Sequence, residues 1–294
     1  MKNLKQKIVL GTWSLSGDLG AVKKSQIYSL INYCIEKKYI EFDIAPTYGF
    51  GKIDKIFSEF KDCNLKINTK FGYDKDRKKN FSLSVLKKSI YDSYRYHGKL
   101  NAVFLHNPRE EIKNWNAIIK FMNVLKFEKI IKYSGISVAR DFYPDTSILN
   151  EFDIVQDEIN ILRKGNLLKK KNQFKLMARS PLATGVLSNN FNINSKYSKE
   201  DYRNSWLKGK RKKNILEQTR LLKKIFGKNI IDASYSYLLH NIDIDKIIFG
   251  FKDIKQLENI LMISKYKKIS DKKLLLLSKL HKGNYFFNKN EILY

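Results

Sequence analysis

The sequence has few of the residues that mark several classes of protein. Only two cysteines, Cys34 and Cys63, occur in 294 residues, so neither a disulfide framework nor a cysteine-bound metal is expected. No apolar run approaches the roughly 20 residues of a membrane-spanning helix. The apolar stretch near Met1 is also too short for a secretory signal. We therefore expect a cytoplasmic protein with no membrane span and no metal site.

Acidic residues are also scarce, because 29 Asp and Glu stand against 57 Lys and Arg and give a formal net charge of +28. Such a charge is one indication of nucleic-acid binding. Here, however, the lysines are spread along the whole chain beside abundant Ile, Asn, Tyr and Phe, as AT-rich codons would produce. We interpret the densest clusters, 169–171 and 208–213, as solvated loops, with an anionic ligand near the second left open. No nucleic-acid partner is expected.

Short apolar runs alternate with segments of helical periodicity along the chain. The first helical segment carries apolar residues from Ile27 to Ile35 at helical spacing, with Ser25 as its predicted N-cap. Another places Trp115 and Met122 on the same face as Ile118 and Ile119. The apolar runs end at Gly11, Asp43, Lys70, His106, Ser137, Gln156, Ser180 and Gly250.

This alternation is typical of βα units around a parallel sheet. Eight such units in 294 residues predict an α/β fold, a (β/α)8 TIM barrel, in a single domain over residues 1–294. An open doubly wound sheet is the alternative. No Gly-x-Gly-x-x-Gly motif follows any predicted strand, so a Rossmann cofactor site has no support.

Reactive side chains stand at the ends of consecutive predicted strands. Asp43, Lys70 and His106 end the second, third and fourth strands. Tyr48 follows Asp43 by five residues. Neighbouring strands of a parallel barrel share one face at their carboxyl ends, where active sites of this architecture lie. Each of these residues alone is commonly structural, but together they predict a site.

The four side chains suit proton transfer to a carbonyl group. A lysine ammonium beside Tyr48 favours the phenolate, so Lys70 is expected to lower the phenol pKa from its usual value of about 10. Asp43 would keep the lysine charged, and His106 would orient or polarise a carbonyl oxygen. The cluster therefore predicts a proton donor for a carbonyl that receives hydride from elsewhere.

The motifs around these residues resemble those of the aldo-keto reductase family. FDIAPTYGFG, residues 42–51, is similar to the family signature after the second strand, and INTKFG and VFLHNP resemble the next two blocks. YSGISVA, VQDEINIL, ARSPLATGVLS and IIFGFKDIKQLENIL follow in family order. The resemblance implies an NADP-dependent oxidoreductase, a carbonyl reductase or alcohol dehydrogenase, acting on an aldehyde, a ketone or a sugar derivative.

The resemblance also implies residue roles. Tyr48 would be the general acid in reduction, tuned by Lys70 and Asp43, with His106 positioning the carbonyl. The cofactor, NADP(H) with NAD(H) as the alternative, would lie extended across the barrel mouth, and Lys252 could meet a 2′-phosphate. The implied cofactor-binding residues are Ser137, Gln156, Arg179, Ser180, Leu182, Gly185, Gly250, Lys252, Gln256 and Asn259.

Three positions depart from the family pattern. Val138 replaces an asparagine that binds the carboxamide, Arg179 replaces an aromatic residue stacked on the nicotinamide, and Ile260 replaces an asparagine at the adenine end. A guanidinium group can also stack on a ring. The departures leave the choice between NADP and NAD open, whereas the four proton-transfer residues are all present.

Two other functions stay open at this point. The chain could be a regulatory or sensor barrel that binds the cofactor without catalysis, or a nucleic-acid-binding protein, which only the net charge supports. Residues 266–294 are predicted to form a C-terminal helix and tail whose aromatic residues, from Tyr285 to Phe287, would line the substrate pocket or pack on the barrel. The sequence specifies neither the substrate, nor the reaction direction, nor the oligomeric state.

Overall fold

The strands close into a parallel barrel in which each strand neighbours the next in sequence. The computed structural model describes residues 2–74, 76–110, 112–165, 167–168 and 173–282. The predicted (β/α)8 barrel is confirmed. The alternative prediction, an open doubly wound sheet, is wrong, because the first strand pairs with both the second and the last. The strands are β1 (Ile8–Gly11), β2 (Glu41–Asp43), β3 (Lys66–Phe71), β4 (Leu100–His106), β5 (Ile131–Ser137), β6 (Ile154–Glu158), β7 (Lys175–Arg179) and β8 (Lys246–Gly250).

Helices surround this barrel, as the alternating periodicity predicted. Those of the described residues are α1 (Lys2–Lys5), α2 (Lys24–Glu36), α3 (Lys52–Ser58), α4 (Leu83–His97), α5 (Trp115–Phe127), α6 (Thr146–Leu149), α7 (Tyr202–Trp206), α8 (Gly209–Phe226), α9 (Ile230–Leu239), α10 (Ile254–Leu261) and α11 (Asp271–Lys282). Within the described ranges, none of them is long and apolar enough to cross a membrane.

Two layers of buried side chains hold the barrel together. The larger layer packs the outward-facing strand residues against the helices, and it includes Ile118 and Met122 of α5. The smaller layer alternates with it along the strands and therefore fills the barrel interior. Its members are Val9, Ala102, Phe104, Ile154, Met177 and Ile248.

Several predicted boundaries are wrong. Helix α2 begins at Lys24 after Lys23 as its N-cap, so Ser25 lies inside the first turn and is not the cap. Strand β3 continues one residue past Lys70. Strand β6 runs to Glu158, two residues beyond Gln156. The longer β6 matters for the site, because it carries Glu158 to the mouth of the barrel.

The interpretation of the second basic cluster, 208–213, as a solvated loop is wrong. Lys208 is the N-cap of α8, and the residues from Gly209 onward form its first turns. The ammonium group of Lys212 donates to the carbonyl oxygens of Ile193 and Ser195, both at 2.6 Å. This lysine therefore fixes the preceding loop. The first cluster, 169–171, lies outside the described residues.

Candidate active site

The carboxyl ends of the strands open into one cleft of about 1220 Å³. Every residue predicted to act in catalysis or in cofactor binding lines this cleft. They are Asp43, Tyr48, Lys70, His106, Ser137, Gln156, Arg179, Ser180, Leu182, Gly185, Gly250, Lys252, Gln256 and Asn259.

A chain of hydrogen bonds forms the floor of the cleft. The Lys70 ammonium donates to the Asp43 carboxylate and, at 3.0 Å, to the Tyr48 hydroxyl oxygen. Lys70 and Asp43 are both nearly inaccessible to solvent. The His106 ring meets the Tyr48 ring edge to face, with 6.3 Å between centroids. The structure therefore brings these four side chains together, as expected from the ends of consecutive strands.

The prediction that Lys70 lowers the pKa of Tyr48 below its usual value is wrong. Burial raises the pKa of the phenol above its usual value, and Lys70 opposes this effect without reversing it. Burial alone would lower the pKa of Lys70, but the nearby Asp43 carboxylate and Tyr48 raise it. At neutral pH the floor therefore holds a neutral phenol beside a charged ammonium group. How strongly the fold buries the phenol could not be predicted from residue spacing.

The imidazole of His106 is also neutral at neutral pH. Burial lowers its pKa well below the usual value, and the positive charges of Lys70, Arg179 and Lys79 lower it further. Its Nδ1 atom is buried without a hydrogen-bond partner among the described residues. A neutral imidazole has one N–H donor and one acceptor nitrogen, so His106 can donate one hydrogen bond to a carbonyl oxygen.

The β1–α2 loop fixes the position of Tyr48. Asp18 of this loop accepts hydrogen bonds from the Trp13 indole and the Gly49 amide, both at 3.2 Å. Gly49 has φ of +58°, and a side chain there would come within 2.6 Å of the Ser16 carbonyl oxygen. Only glycine allows this approach, which explains the Tyr-Gly pair in the motif.

After β3, the described residues 72–74 and 76–80 form the two sides of a hairpin that lies beside His106. The Asp74 carboxylate accepts the amides of Asp76 and Lys78, each at 2.9 Å. Tyr73 pairs with Lys79 across the hairpin. The Tyr73 ring lies 5.1 Å from the His106 ring.

The tip of the hairpin is docked onto the loop that carries Tyr48. Arg77 donates to the Thr47 carbonyl oxygen and stacks 3.5 Å over the Phe50 ring. The hairpin therefore contacts both His106, through Tyr73, and the loop that carries Tyr48, through Arg77.

The middle of the cleft offers a polar site for an amide group. Gln156 is fully buried, and its Nε2 donates to Asp43 at 2.8 Å. Its Oε1 is buried without a partner among the described residues. Ser137 lies on the neighbouring strand in register with Gln156. An unpartnered acceptor and a nearby hydroxyl match the donor and acceptor of a carboxamide.

Arg179 is held by charged and backbone partners at the end of β7. It donates to Glu158 at 3.2 Å and to the carbonyl oxygen of Val138 at 3.1 Å. Arg140 donates to the same Glu158 carboxylate, at 2.7 Å for one of its two bonds. Two of the departures from the family pattern, Arg179 and Val138, therefore contact each other.

The far end of the cleft is formed by the β8–α10 segment. Lys252 donates from its ammonium group to the Leu19 carbonyl oxygen, and its backbone amide donates to Gln256 at 3.0 Å. Arg203 also donates to Leu19, at 2.9 Å, and it forms an ion pair with Asp201. The β1–α2 loop and the segment before α8 therefore meet above the cleft.

Sequence reasoning missed several residues that line or support the site. Trp13 and Asp18 lie in a loop, Tyr73 and Lys79 in a hairpin, and Glu158 beyond the predicted end of its strand. A strand-end rule selects the last residue of each run, and it cannot find residues that reach the site from loops. Tyr285 to Phe287, predicted to line the pocket or pack on the barrel, lie outside the described residues.

Comparison with known proteins identifies the class of this barrel. The sequence matches the model of the Aldo/keto reductase family over residues 7–281. This chain therefore belongs to the aldo/keto reductase family and is an oxidoreductase.

Solved structures show the same fold. A glycerol dehydrogenase from Gluconobacter oxydans superposes with a TM-score of 0.74 at 18% identity, covering 93% of this chain and 90% of that chain. An aldo-keto reductase from Bacillus halodurans, in its holo form, gives a TM-score of 0.72 at 16% identity, covering 93% and 91%. Comparison with curated proteins found no match.

Proposed function

We propose that this protein is an NADP(H)-dependent carbonyl reductase or alcohol dehydrogenase in which Tyr48 is the proton donor during reduction. The observation that carries the proposal is the hydrogen-bonded chain from Asp43 through Lys70 to Tyr48, with His106 against the tyrosine ring. The substrate would be a small aldehyde, ketone or sugar derivative.

The hydrogen bond that Lys70 donates to Tyr48 determines where the phenol proton points. Lys70 donates to the Tyr48 oxygen at 3.0 Å, so the phenol O–H must point elsewhere, and the cleft is the open direction. A carbonyl oxygen placed there would receive the Tyr48 proton as negative charge develops on it. Lys70 would then stabilise the phenolate that forms. In alcohol oxidation the same atoms would act in reverse.

His106 would position the substrate. A neutral imidazole donates one hydrogen bond to the carbonyl oxygen, and together with Tyr48 this gives two donors on one acceptor. Because burial and three nearby cations keep the pKa of His106 low, the ring does not compete with Tyr48 as the source of the proton.

The cleft fits a nicotinamide cofactor, which when bound would supply or accept the hydride. Gln156 and Ser137 would hold the carboxamide, since the buried Oε1 of Gln156 needs a donor. Arg179 would lie against the nicotinamide ring, and Leu182 and Gly185 would lie along the pyrophosphate. Lys252, Gln256 and Asn259 would contact the adenosine end. A preference for NADP(H) over NAD(H) rests on Lys252 alone.

Titration with NADPH, and separately with NADH, followed by cofactor fluorescence, tests the cofactor site. We expect saturable binding that weakens about tenfold in Gln156→Leu, the scale of one lost buried hydrogen bond. Gln173→Leu is the matched control, because the exposed Gln173 precedes β7 at the opposite end of the barrel. Failure to bind either cofactor would contradict the proposal.

A further inference from the structure

The charge of the cleft alone does not identify a substrate. Nine Lys and Arg side chains and four Asp and Glu side chains line the cleft, a ratio close to that of the whole chain, with 57 and 29. What is informative is where the cations lie. Lys252 and Arg203 lie at the proposed adenosine end, whereas Lys79 pairs with Tyr73, whose ring faces His106.

The backbone of the hairpin holds Lys79 opposite Tyr73, the residue whose ring contacts His106. Lys79 pairs with Tyr73 in an antiparallel bridge, and the Tyr73 ring is 5.1 Å from the His106 ring. The amide of Asn80 donates to the Gly72 carbonyl oxygen at 2.9 Å, which closes the hairpin. These two backbone pairings therefore set the position of Lys79 opposite Tyr73.

A second source of positive charge faces the same part of the cleft. Arg140 and Arg179 both donate to the single carboxylate of Glu158, and all three line the cleft. The positive charge of Arg179, like that of Lys79, reaches His106. Charges that line a partly buried cleft act more strongly on a bound substrate than they would in water, because the dielectric constant there is lower.

We propose that the substrate is an aldehyde or ketone that carries an anionic group, a carboxylate or a phosphate, near the reacting carbonyl, and that Lys79 binds that group. The Arg140–Glu158–Arg179 cluster adds to the positive potential there. This inference rests on the proposed function, because the carbonyl position is defined by Tyr48 and His106. It extends that function by naming the charge of the substrate.

Matched substrates test the inference. Succinic semialdehyde is compared with butanal, and glyceraldehyde 3-phosphate with glyceraldehyde, each with saturating NADPH. We expect kcat/KM to be at least about tenfold higher for one or both anionic partners, the scale of a charge-assisted hydrogen bond. The pair that shows the larger ratio identifies carboxylate or phosphate as the anion.

Variants assign the effect to Lys79. In Lys79→Gln the ratio of anionic to neutral kcat/KM should fall about tenfold, mainly through KM, and Lys79→Arg should restore most of it. Lys78→Gln is the matched control, since Lys78 is exposed on the same hairpin and does not line the cleft. Its ratio should equal that of the wild type, and rising salt should reduce the wild-type ratio.

Failure of the inference can be told apart from failure of the proposed function. Turnover of neutral aldehydes without preference for the anionic partners would overturn the inference while leaving the reductase function intact. A preference that persists in Lys79→Gln would overturn the role of Lys79. Absence of turnover for every substrate with either cofactor would contradict the proposed function itself.

Discussion

The two ends of the cleft are built from different kinds of contact. At the proton-transfer end, Asp43 and Lys70 extend from strands and are buried, with their polar atoms joined to each other and to Gln156. At the proposed adenosine end, Lys252 and Gln256 lie beyond the last strand, and Lys252 donates to Gln256 and to a loop carbonyl oxygen. Barrel strands therefore hold the proposed proton-transfer groups, whereas loops shape the proposed cofactor end.

This difference predicts where substitutions will have large effects. Removing a group from the buried floor leaves charges or polar atoms without partners, which costs both activity and stability. At the proposed adenosine end Lys252 is partly exposed and Gln256 is exposed, so removing either side chain should cost little stability and should change mainly cofactor affinity.

Tyr48→Phe should have the largest effect. It removes the proposed proton donor, so kcat should fall about 100- to 10,000-fold, the usual range for loss of a general acid. NADPH affinity should stay close to that of the wild type. Tyr91→Phe is the control, because it removes only a surface hydrogen bond to Glu128. Near wild-type turnover in Tyr48→Phe would mean that another group donates the proton.

Lys70→Met should reduce both turnover and stability. Without the ammonium group, the buried Asp43 carboxylate loses its ion pair, and the free energy of unfolding should fall by about 3–5 kcal/mol. The pKa of Tyr48 should rise further, because Lys70 lowers it. Urea denaturation and the pH profile of kcat measure the two effects.

The control for Lys70→Met is Lys66→Met, an exposed lysine at the start of the same strand. Unchanged stability together with an unchanged pH profile in Lys70→Met would contradict both roles of Lys70.

Gly72→Ala should destabilise the hairpin beside His106. Gly72 has φ of +119°, and an added Cβ would meet the Phe81 ring at 2.1 Å. Gly98→Ala is the matched control, with φ of +71° and open space around the added atom. Strain alone should cost about 1–3 kcal/mol at either site, and overpacking should add about 1–3 kcal/mol at Gly72. Equal melting temperatures for the two variants would show that the contact with Phe81 is unimportant.

Lys252→Met tests the adenosine end. If the ammonium group meets a 2′-phosphate, NADPH should bind about tenfold more weakly, with NADH affinity unaffected. Lys255→Met is the control, because Lys255 is exposed on α10 and does not line the cleft. An equal loss of affinity for both cofactors would assign Lys252 to loop closure through Leu19 instead.

The smallest expected effect is a pH dependence of stability. The unfolded chain protonates its histidines near pH 6.5, whereas burial and nearby cations keep His106 neutral in the folded state. The unfolded state then binds more protons, so stability should fall as pH decreases below about 6.5. His106→Asn should lose less stability between pH 7 and 5 than the wild type. Equal losses would show that His281, which burial also keeps neutral, accounts for the effect.

The barrel and its reactive floor could be predicted because both follow from strand ends. Asp43 and His106 end their strands in the structure as in the sequence pattern, and closure of a parallel barrel brings such ends together. The N-cap of α2 could not be predicted, because Lys23 caps the helix through its backbone position without a side-chain hydrogen bond.

The upward shift of the Tyr48 pKa and the proposed role of Lys79 could not be predicted from the sequence. The first depends on a balance between burial and the Lys70 charge, which needs the depth of the hydroxyl group. The second depends on a hairpin that brings Lys79 back beside Tyr73. In both cases the decisive contacts lie across loops, where sequence spacing does not fix distance.

The pH dependence of single-turnover carbonyl reduction, with NADPH bound beforehand, tests the central claim most directly. Because burial raises the pKa of Tyr48, the wild-type rate should be constant through the neutral range and should fall only above about pH 10, the usual phenol value. Tyr48→Phe should lose both the rate and this dependence. A rate controlled by a group that titrates near neutral pH, and that persists in Tyr48→Phe, would contradict Tyr48 as the proton donor.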